Sequence, residues 1–392
     1  MPYYRRVGEV PPKRHTQFRR PDGGLYAEEL MGADGFSSSS ALLYHRNPPT
    51  ALVAAEPVAE PDPGLEPNRP LLPRHLRTEL AAGAGDLVRD RTPLLANDDV
   101  RLLVAGAGLA SGLYRNATGD EIVVIRAGAA RLESPFGALE CRAGDYVVIP
   151  TGTTHRWVPA NTEPVHALVI EARGHVGPPE RYQARSGQFL EHSPYCERDL
   201  QAPDEPLLVD EPTDGQGVDV LVRQRDGLSR LTYAHHPFDV VGWDGYLYPY
   251  RFSIHDFAPI TGRLHQPPPV HQTFAGPRFV VCSFVPRRLD DHPEAVPAPY
   301  NHANVDSDEV LYYCGGDFTS RRGAGIGPGS LTLHPAGFVH GPQPGSVEAS
   351  LGQSYTDELA VMIDTFRPLL LAEGARRCED PDYPWTWARA AR

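Results

Sequence analysis

The chain has 392 residues, enough to bury a sizeable core and, at roughly 100–200 residues per domain, to form two or three domains. Its formal net charge of -13 leaves no basic excess for neutralising phosphates, so nucleic acid is not the expected partner. No stretch has the run of apolar residues that a membrane span or a secretory leader needs, and a cytoplasmic protein without a membrane partner is expected.

Proline and glycine are abundant, at 41 and 37 residues, without a short period, which implies many turns between short strands. The five cysteines (Cys141, Cys196, Cys282, Cys314 and Cys378) are odd in number and form no CxxC pair. That pattern predicts reduced thiols rather than a disulfide framework or a thiolate zinc site.

In chain order, the first 75 residues are rich in proline and carry a serine run at 37–40. Leu30, Phe36, Leu42 and Tyr44 supply apolar anchors, so this segment reads as an arm that wraps the rest of the fold or a neighbouring subunit. The most regular stretch follows, with strands at EIVVI (121–125), ARLES (130–134), ALECR (138–142) and YVVIP (146–150). Turn signals separate them, and the order reads as an antiparallel meander. From Pro159 to about Pro212 the chain looks irregular.

The first unit ends on GDYVVIPTGTTH (144–155), a G-D-x4-P-x-G-x-x-H spacing that Asn161 extends. Near the C-terminus GSLTLHPAGFVH (329–340) repeats it as G-S-x4-P-x-G-x-x-H. Both resemble the second motif of the cupin barrel, a small jelly roll, and the repeat implies two such units. The expected fold is therefore all-β dominated. Two cupin units are joined by irregular connections behind an N-terminal arm. An N-terminal β domain would span 1–258, with its barrel at about 100–175, and a C-terminal cupin domain would span 259–392.

Only the second unit carries a metal set. In the first, YRNATGDE (114–121) offers no histidine beside His155, and that barrel reads as metal-free. In the second, YNHANVDSDE (300–309) offers His302 and Glu309, and His340 closes the later motif. Two imidazoles and a carboxylate form the facial triad suited to non-haem iron(II), with positions left open for substrate and dioxygen. His302 and Glu309 would lie on opposite faces of one regular strand, so NVDSD must be a loop or bulge, and Asp306 and Asp308 are rival carboxylates. His255, His265, His271, His292 and His334 crowd the same half; a base working near neutral pH is most easily a histidine.

These residues resemble the homogentisate 1,2-dioxygenase family. The likeness shows in VVGWDGYLYPY (240–250), in FVPR (284–287), in YNHAN (300–304), in HGP (340–342) and, in the first half, in YRN (114–116) with GDE (119–121). It implies a homo-oligomer, a trimer or hexamer, that binds Fe(2+) through His302, Glu309 and His340. The implied reaction puts both atoms of O2 into an aromatic small molecule, homogentisate, giving maleylacetoacetate in tyrosine and phenylalanine catabolism. The family's base maps onto His265, with His271 as the alternative across the proline run, and its second pocket histidine maps onto His334. Arg321 stands where the family has lysine, Phe318 where it has a tyrosine near substrate, and Ala303 where it has arginine. One residue is inserted between His302 and Glu309. These departures leave gentisate or another hydroquinone as an alternative substrate. A non-oxidative metal-dependent isomerase and a ligand-binding cupin are the remaining alternatives.

Overall fold

The computed structural model describes residues 3–160, 163–210, 215–225, 227–263, 265, 268–318, 321 and 324–388; Asn161 lies outside them. Strands dominate. The α-helices among the described residues are two short ones, Ser346–Ser350 and Glu373–Cys378, and none is long and apolar enough to cross a membrane.

In the N-terminal unit, Asp145–Ile149, Glu121–Ala127, Val165–Ala172 and Val100–Ala107 lie side by side in a nine-stranded sheet. Ala129–Ser134 instead pairs with Gly137–Arg142 and Arg156–Pro159 in a separate three-stranded sheet. The four expected strands are all present, but the meander is not their order. Glu121–Ala127 pairs with Asp145–Ile149 and Val165–Ala172, which is a jelly-roll connection. Gly128 makes the crossing at φ 77°, where an added Cβ would sit 2.7 Å from the Pro164 carbonyl oxygen. The stretch read as irregular after Pro159 also contains a central strand, Val165–Ala172.

The C-terminal unit is a six-stranded sheet in the order Gln272–Gly276, Phe279–Phe284, Leu359–Thr365, Asp308–Gly315, Ser330–His334, Arg74–Arg77. Two strands are thus exchanged across residue 258. Arg74–Arg77 closes the edge of the C-terminal sheet, and Leu370–Leu371 pairs with Thr92–Ala96 in the N-terminal one.

The two units pack back to back. Successive side chains of a strand point to opposite faces, so EIVVI serves two cores at once. Val123 and Ile125 join Leu132, Leu139 and Trp157 inside the first barrel. Ile122 and Val124 face the other way, into a cluster shared with Val281, Val310, Val361 and Ile363 of the second. Each such aliphatic side chain contributes roughly 1.5–3 kcal/mol on full burial. At the same interface the Tyr146 hydroxyl and Ser283 Oγ are 2.8 Å apart.

The arm is folded into a sheet of its own. Arg5–Gly8, Val240–Gly245, Ser40–His45 and Ala27–Gly32 pair in that order. Of the expected anchors, Leu42 and Tyr44 are buried, but Leu30 and Phe36 are exposed. Leu30 lies on the outermost strand, where no further layer covers it.

His45 ties this sheet together: its Nδ1 lies 2.6 Å from Asp239 and its Nε2 2.9 Å from Glu29. Burial pushes the imidazole down, but its bonds to Asp239 and Glu29 outweigh that and raise it to about 9. A raised folded-state value stabilises fully below the ordinary histidine range, and the gain disappears as pH rises through about 9. The melting temperature of the wild type should therefore fall relative to that of His45→Gln as pH goes from 6.5 to 9.5. Parallel curves would show that the triad carries no such linkage.

Candidate metal centre

Glu309 is the second residue of the strand Asp308–Gly315 and faces His334, the last residue of Ser330–His334. Beyond this pair the hairpin opens, since 303–307 is a loop. Pairing then resumes for one step: His302 and His340 form an isolated antiparallel bridge, with both backbone N–H groups donating at 2.8 Å. An unbroken register would set Ala303 opposite His340. The loop absorbs one extra residue, and this slip brings His302 round to the face that Glu309 occupies.

The result is a convergent donor set. One ligand atom each from His302, Glu309 and His340 lie within 4.8 Å of one another. His302 Nε2 is 3.6 Å from Glu309 Oε2, and His340 Nε2 is 3.3 Å from Oε1. Each histidine gives its Nδ1 to a carbonyl two residues back, Tyr300 at 3.1 Å and Phe338 at 3.0 Å, which leaves Nε2 for the centre. His340 Nε2 is buried and makes no hydrogen bond among the described residues. Burial pushes the Glu309 carboxyl up, but the imidazoles of His302, His334 and His340 packed around it hold it well below its usual range. An ionised carboxylate with two free imidazole nitrogens is a set that fits a divalent transition metal. The rival carboxylates are elsewhere. Asp308 accepts from the Ala336 and Leu369 backbone N–H groups at 2.8 and 2.7 Å, and Asp306 is exposed.

His334 does not reach the cavity beside the triad. It is fully buried behind Glu309, with its ring stacked on His340 at 4.2 Å. Burial pushes it down to about 3, so it is neutral. Its Nδ1 is 2.9 Å from Glu309 Oε1 and its Nε2 3.0 Å from the Tyr383 hydroxyl. The tautomer that suits both donates Nδ1–H to the carboxylate and accepts Tyr383 O–H. His334 therefore orients a ligand rather than touching substrate.

His302, Glu309, His265, His271 and Arg321 all line one cavity of about 270 Å³. His265 is on its open side, with Nδ1 2.9 Å from Asp290. His271 is buried against Phe284, and burial followed by Arg287 pushes it down to about 3. Arg321 is buried; its guanidinium donates to the Gly341 carbonyl, lies 5.8 Å from the centroid of the Trp387 ring, and leaves Nε without a partner among the described residues. Phe318 is not on the wall. It packs on Tyr313 at 4.8 Å inside the barrel core, because it follows the strand Asp308–Gly315 back over the interior.

A family model described as homogentisate 1,2-dioxygenase N-terminal matches residues 97–254. A protein of Saccharolobus solfataricus, provisionally named a dioxygenase, is 39% identical over 393 residues, 99% of each chain. The homogentisate 1,2-dioxygenase of Emericella nidulans is 26% identical, over 86% of this chain and 80% of that one. The chain belongs to the homogentisate 1,2-dioxygenase family. Dioxygenase relatives thus place it among the oxygenases. A similar solved structure, a cupin 2 conserved barrel domain protein from Leptotrichia buccalis, covers 75% of this chain and 96% of that one at 8% identity and a TM-score of 0.33.

Several residues of the site in this oxygenase are absent from the sequence reading. Asp364 is the cross-strand partner of Glu309; burial, then Glu309, pushes its carboxyl up to about 7, and Asn304 Nδ2 donates to it at 3.2 Å. An acidic residue inside the apolar run LAVMIDT was the available signal. Asp290 and Tyr383 had none, since each acts through a histidine distant in sequence.

Alanine at His302, Glu309 or His340 should abolish metal retention, read by elemental analysis after desalting. His334→Phe should keep the fold but lower metal affinity about 10–100-fold, the usual effect of losing a ligand's hydrogen-bond partner. Unchanged affinity in His334→Phe would remove its orienting role.

Proposed function

We propose that this chain is an iron(II) ring-cleaving dioxygenase of a 1,4-hydroquinone, with homogentisate as the substrate and maleylacetoacetate as the product. The observation that supports this best is the His302–Glu309–His340 set beside a cavity lined by apolar side chains together with Arg287, Arg288 and Arg321. Ferrous iron in such a set supplies Lewis acidity and activates dioxygen.

The chain's own residues do the rest. Val270, Phe284, Leu311 and Met362 give the aromatic ring an apolar bed. His265 takes the phenolic proton. Its Nδ1 is tied to Asp290, which fixes the ring, leaves Nε2 to accept and stabilises the imidazolium that forms. His271 suits the task less well, because a base lowered to about 3 holds a proton poorly at neutral pH. Arg321 meets the substrate carboxylate. A buried anion needs a partner, and the guanidinium of Arg321, a residue of the cavity lining, is a cation suited to that role. Phe318 lies behind the wall, in one apolar cluster with the lining residues Leu311 and Met362.

Arg287 and Arg288 line the same cavity, and they favour a second reading, a hydroquinone with its carboxylate placed differently, such as gentisate. The family reading further carries a cytoplasmic homo-oligomer, a trimer or hexamer. An exposed edge strand, Leu52–Val58, is compatible with subunit contact.

Protein reconstituted anaerobically with Fe(2+) should consume oxygen on addition of homogentisate, followed with an oxygen electrode. His265→Phe should retain iron yet lose about 10²–10⁴-fold in turnover. If His271→Phe is the crippled variant, the base is misassigned. Arg321→Ala should raise the Michaelis constant for homogentisate far more than for an uncharged hydroquinone. Rapid uptake only with uncharged or larger hydroquinones would overturn the substrate and leave the metal chemistry standing.

A further inference from the structure

The strand Arg74–Arg77 comes to the C-terminal sheet from the N-terminal half of the chain, and it lies between two segments that serve the metal centre. On one side it pairs with Ser330–His334, the strand that ends on His334. On the other, Leu76 and Glu379 form an isolated bridge, and the Asp380 backbone N–H donates to the His75 carbonyl at 2.8 Å. Asp380 shortly precedes Tyr383, whose hydroxyl meets His334 Nε2. His75 is fully buried between the two segments. Its Nε2 is 2.8 Å from Ser330 Oγ, its Nδ1 is 3.4 Å from Asp380 Oδ2, and its ring centroid lies 5.5 Å from that of Tyr383.

Asp380 is the hub of this contact. Its Oδ2 accepts from Arg77 Nη2 at 2.7 Å. Its Oδ1 accepts from the Asp382 backbone N–H at 3.1 Å, and its carbonyl accepts from that of Tyr383 at 3.3 Å, where the turn Tyr383–Ala388 begins. An aspartate that bonds the backbone two residues on fixes the local turn. From Tyr383 the contacts run through His334 to Oε1 of Glu309, at 3.0 and 2.9 Å. Every step from Arg77 to the carboxylate ligand is thus a hydrogen bond or the short turn that Asp380 closes. The side chain of Arg77 is 56% exposed and that of Asp380 11%. An ion pair with so open a partner adds little to global stability, so what it supplies is position.

We propose that Arg77 and Asp380 are positioning residues of the metal centre: by holding the turn that carries Tyr383, they set His334 and, through it, the carboxylate of Glu309. A strand from the N-terminal half of the chain thereby helps to hold a metal whose ligands all lie in the C-terminal half. When the pair is lost the turn relaxes, Tyr383 no longer fixes the His334 ring, and Glu309 is presented less well. The inference rests on the His302–Glu309–His340 centre and is independent of the substrate and the reaction.

The test titrates the metal-free full chain with Co2+ and reads the dissociation constant from the ligand-field absorption. Arg77→Ala and Asp380→Asn should each weaken binding about 2–30-fold, the usual size of a coupling carried by intervening residues. Arg77→Lys, which keeps a cation beside Asp380, should restore most of the affinity. A double-mutant cycle decides the matter. In a His334→Phe background the connection to Glu309 is cut, and Arg77→Ala should there cause no further loss. A merely structural pair would weaken binding by the same factor with or without His334. That result overturns the proposal, as does an unchanged constant in both single variants or failure of Arg77→Ala to fold. If Asp380→Asn alone fails to fold, Arg77→Ala and its cycle decide. Wild-type protein that takes up no Co2+ would remove the metal centre itself, and the positioning role with it.

Discussion

Two backbone hydrogen bonds, those between His302 and His340, govern the chemistry of this protein. The hairpin that carries Glu309 has already opened when its arms meet again at that bridge, one residue out of step. Without the re-pairing, His302 would be a loop histidine, and its imidazole would have to spend conformational entropy to reach the centre. With it, both histidines are presented on rigid backbone, and their Nδ1 bonds to Tyr300 and Phe338 set the rings. A ligand set built this way is held in place before any metal arrives.

Behind that set the barrel interior is polar in an ordered way. Glu309 leans on His334, and His334 leans on Tyr383, which belongs to the turn Tyr383–Ala388. That turn also sends Trp387 Nε1 to the Gly341 carbonyl and accepts Gln343 at Thr386. The segment that plugs the barrel and the segment that follows His340 are thus stitched to each other. A buried polar network of this kind rigidifies its site when each member finds a partner.

Much of this was legible in the sequence, for definable reasons. Motif spacing exposes the two barrels because a turn–strand–turn unit needs glycine and proline at set places. The triad is legible because histidine and glutamate are few and the loop between them is obvious. Pairing order was not legible. EIVVI shows that both faces of its strand are buried, but not which strand lies on either side, and the meander was the wrong choice. Nor could spacing tell a histidine facing a cavity from one buried behind a ligand, as His334 proves to be. Leu30 and Phe36 misled because hydrophobicity alone does not reveal that a strand is outermost.

The exchange of strands between the barrels has a consequence for synthesis on the ribosome. Arg74–Arg77 emerges early, yet its place is at the edge of a sheet whose Ser330–His334 strand appears far later; His75 and Ser330 Oγ, 2.8 Å apart, are separated by 255 positions. In the interval this strand has no sheet to join. Leu370–Leu371, conversely, completes the N-terminal sheet only when almost the whole chain has been made. Neither barrel can therefore finish before the other, and the late closure of such distant pairings makes the nascent chain a slow folder that depends on protection of its open edges.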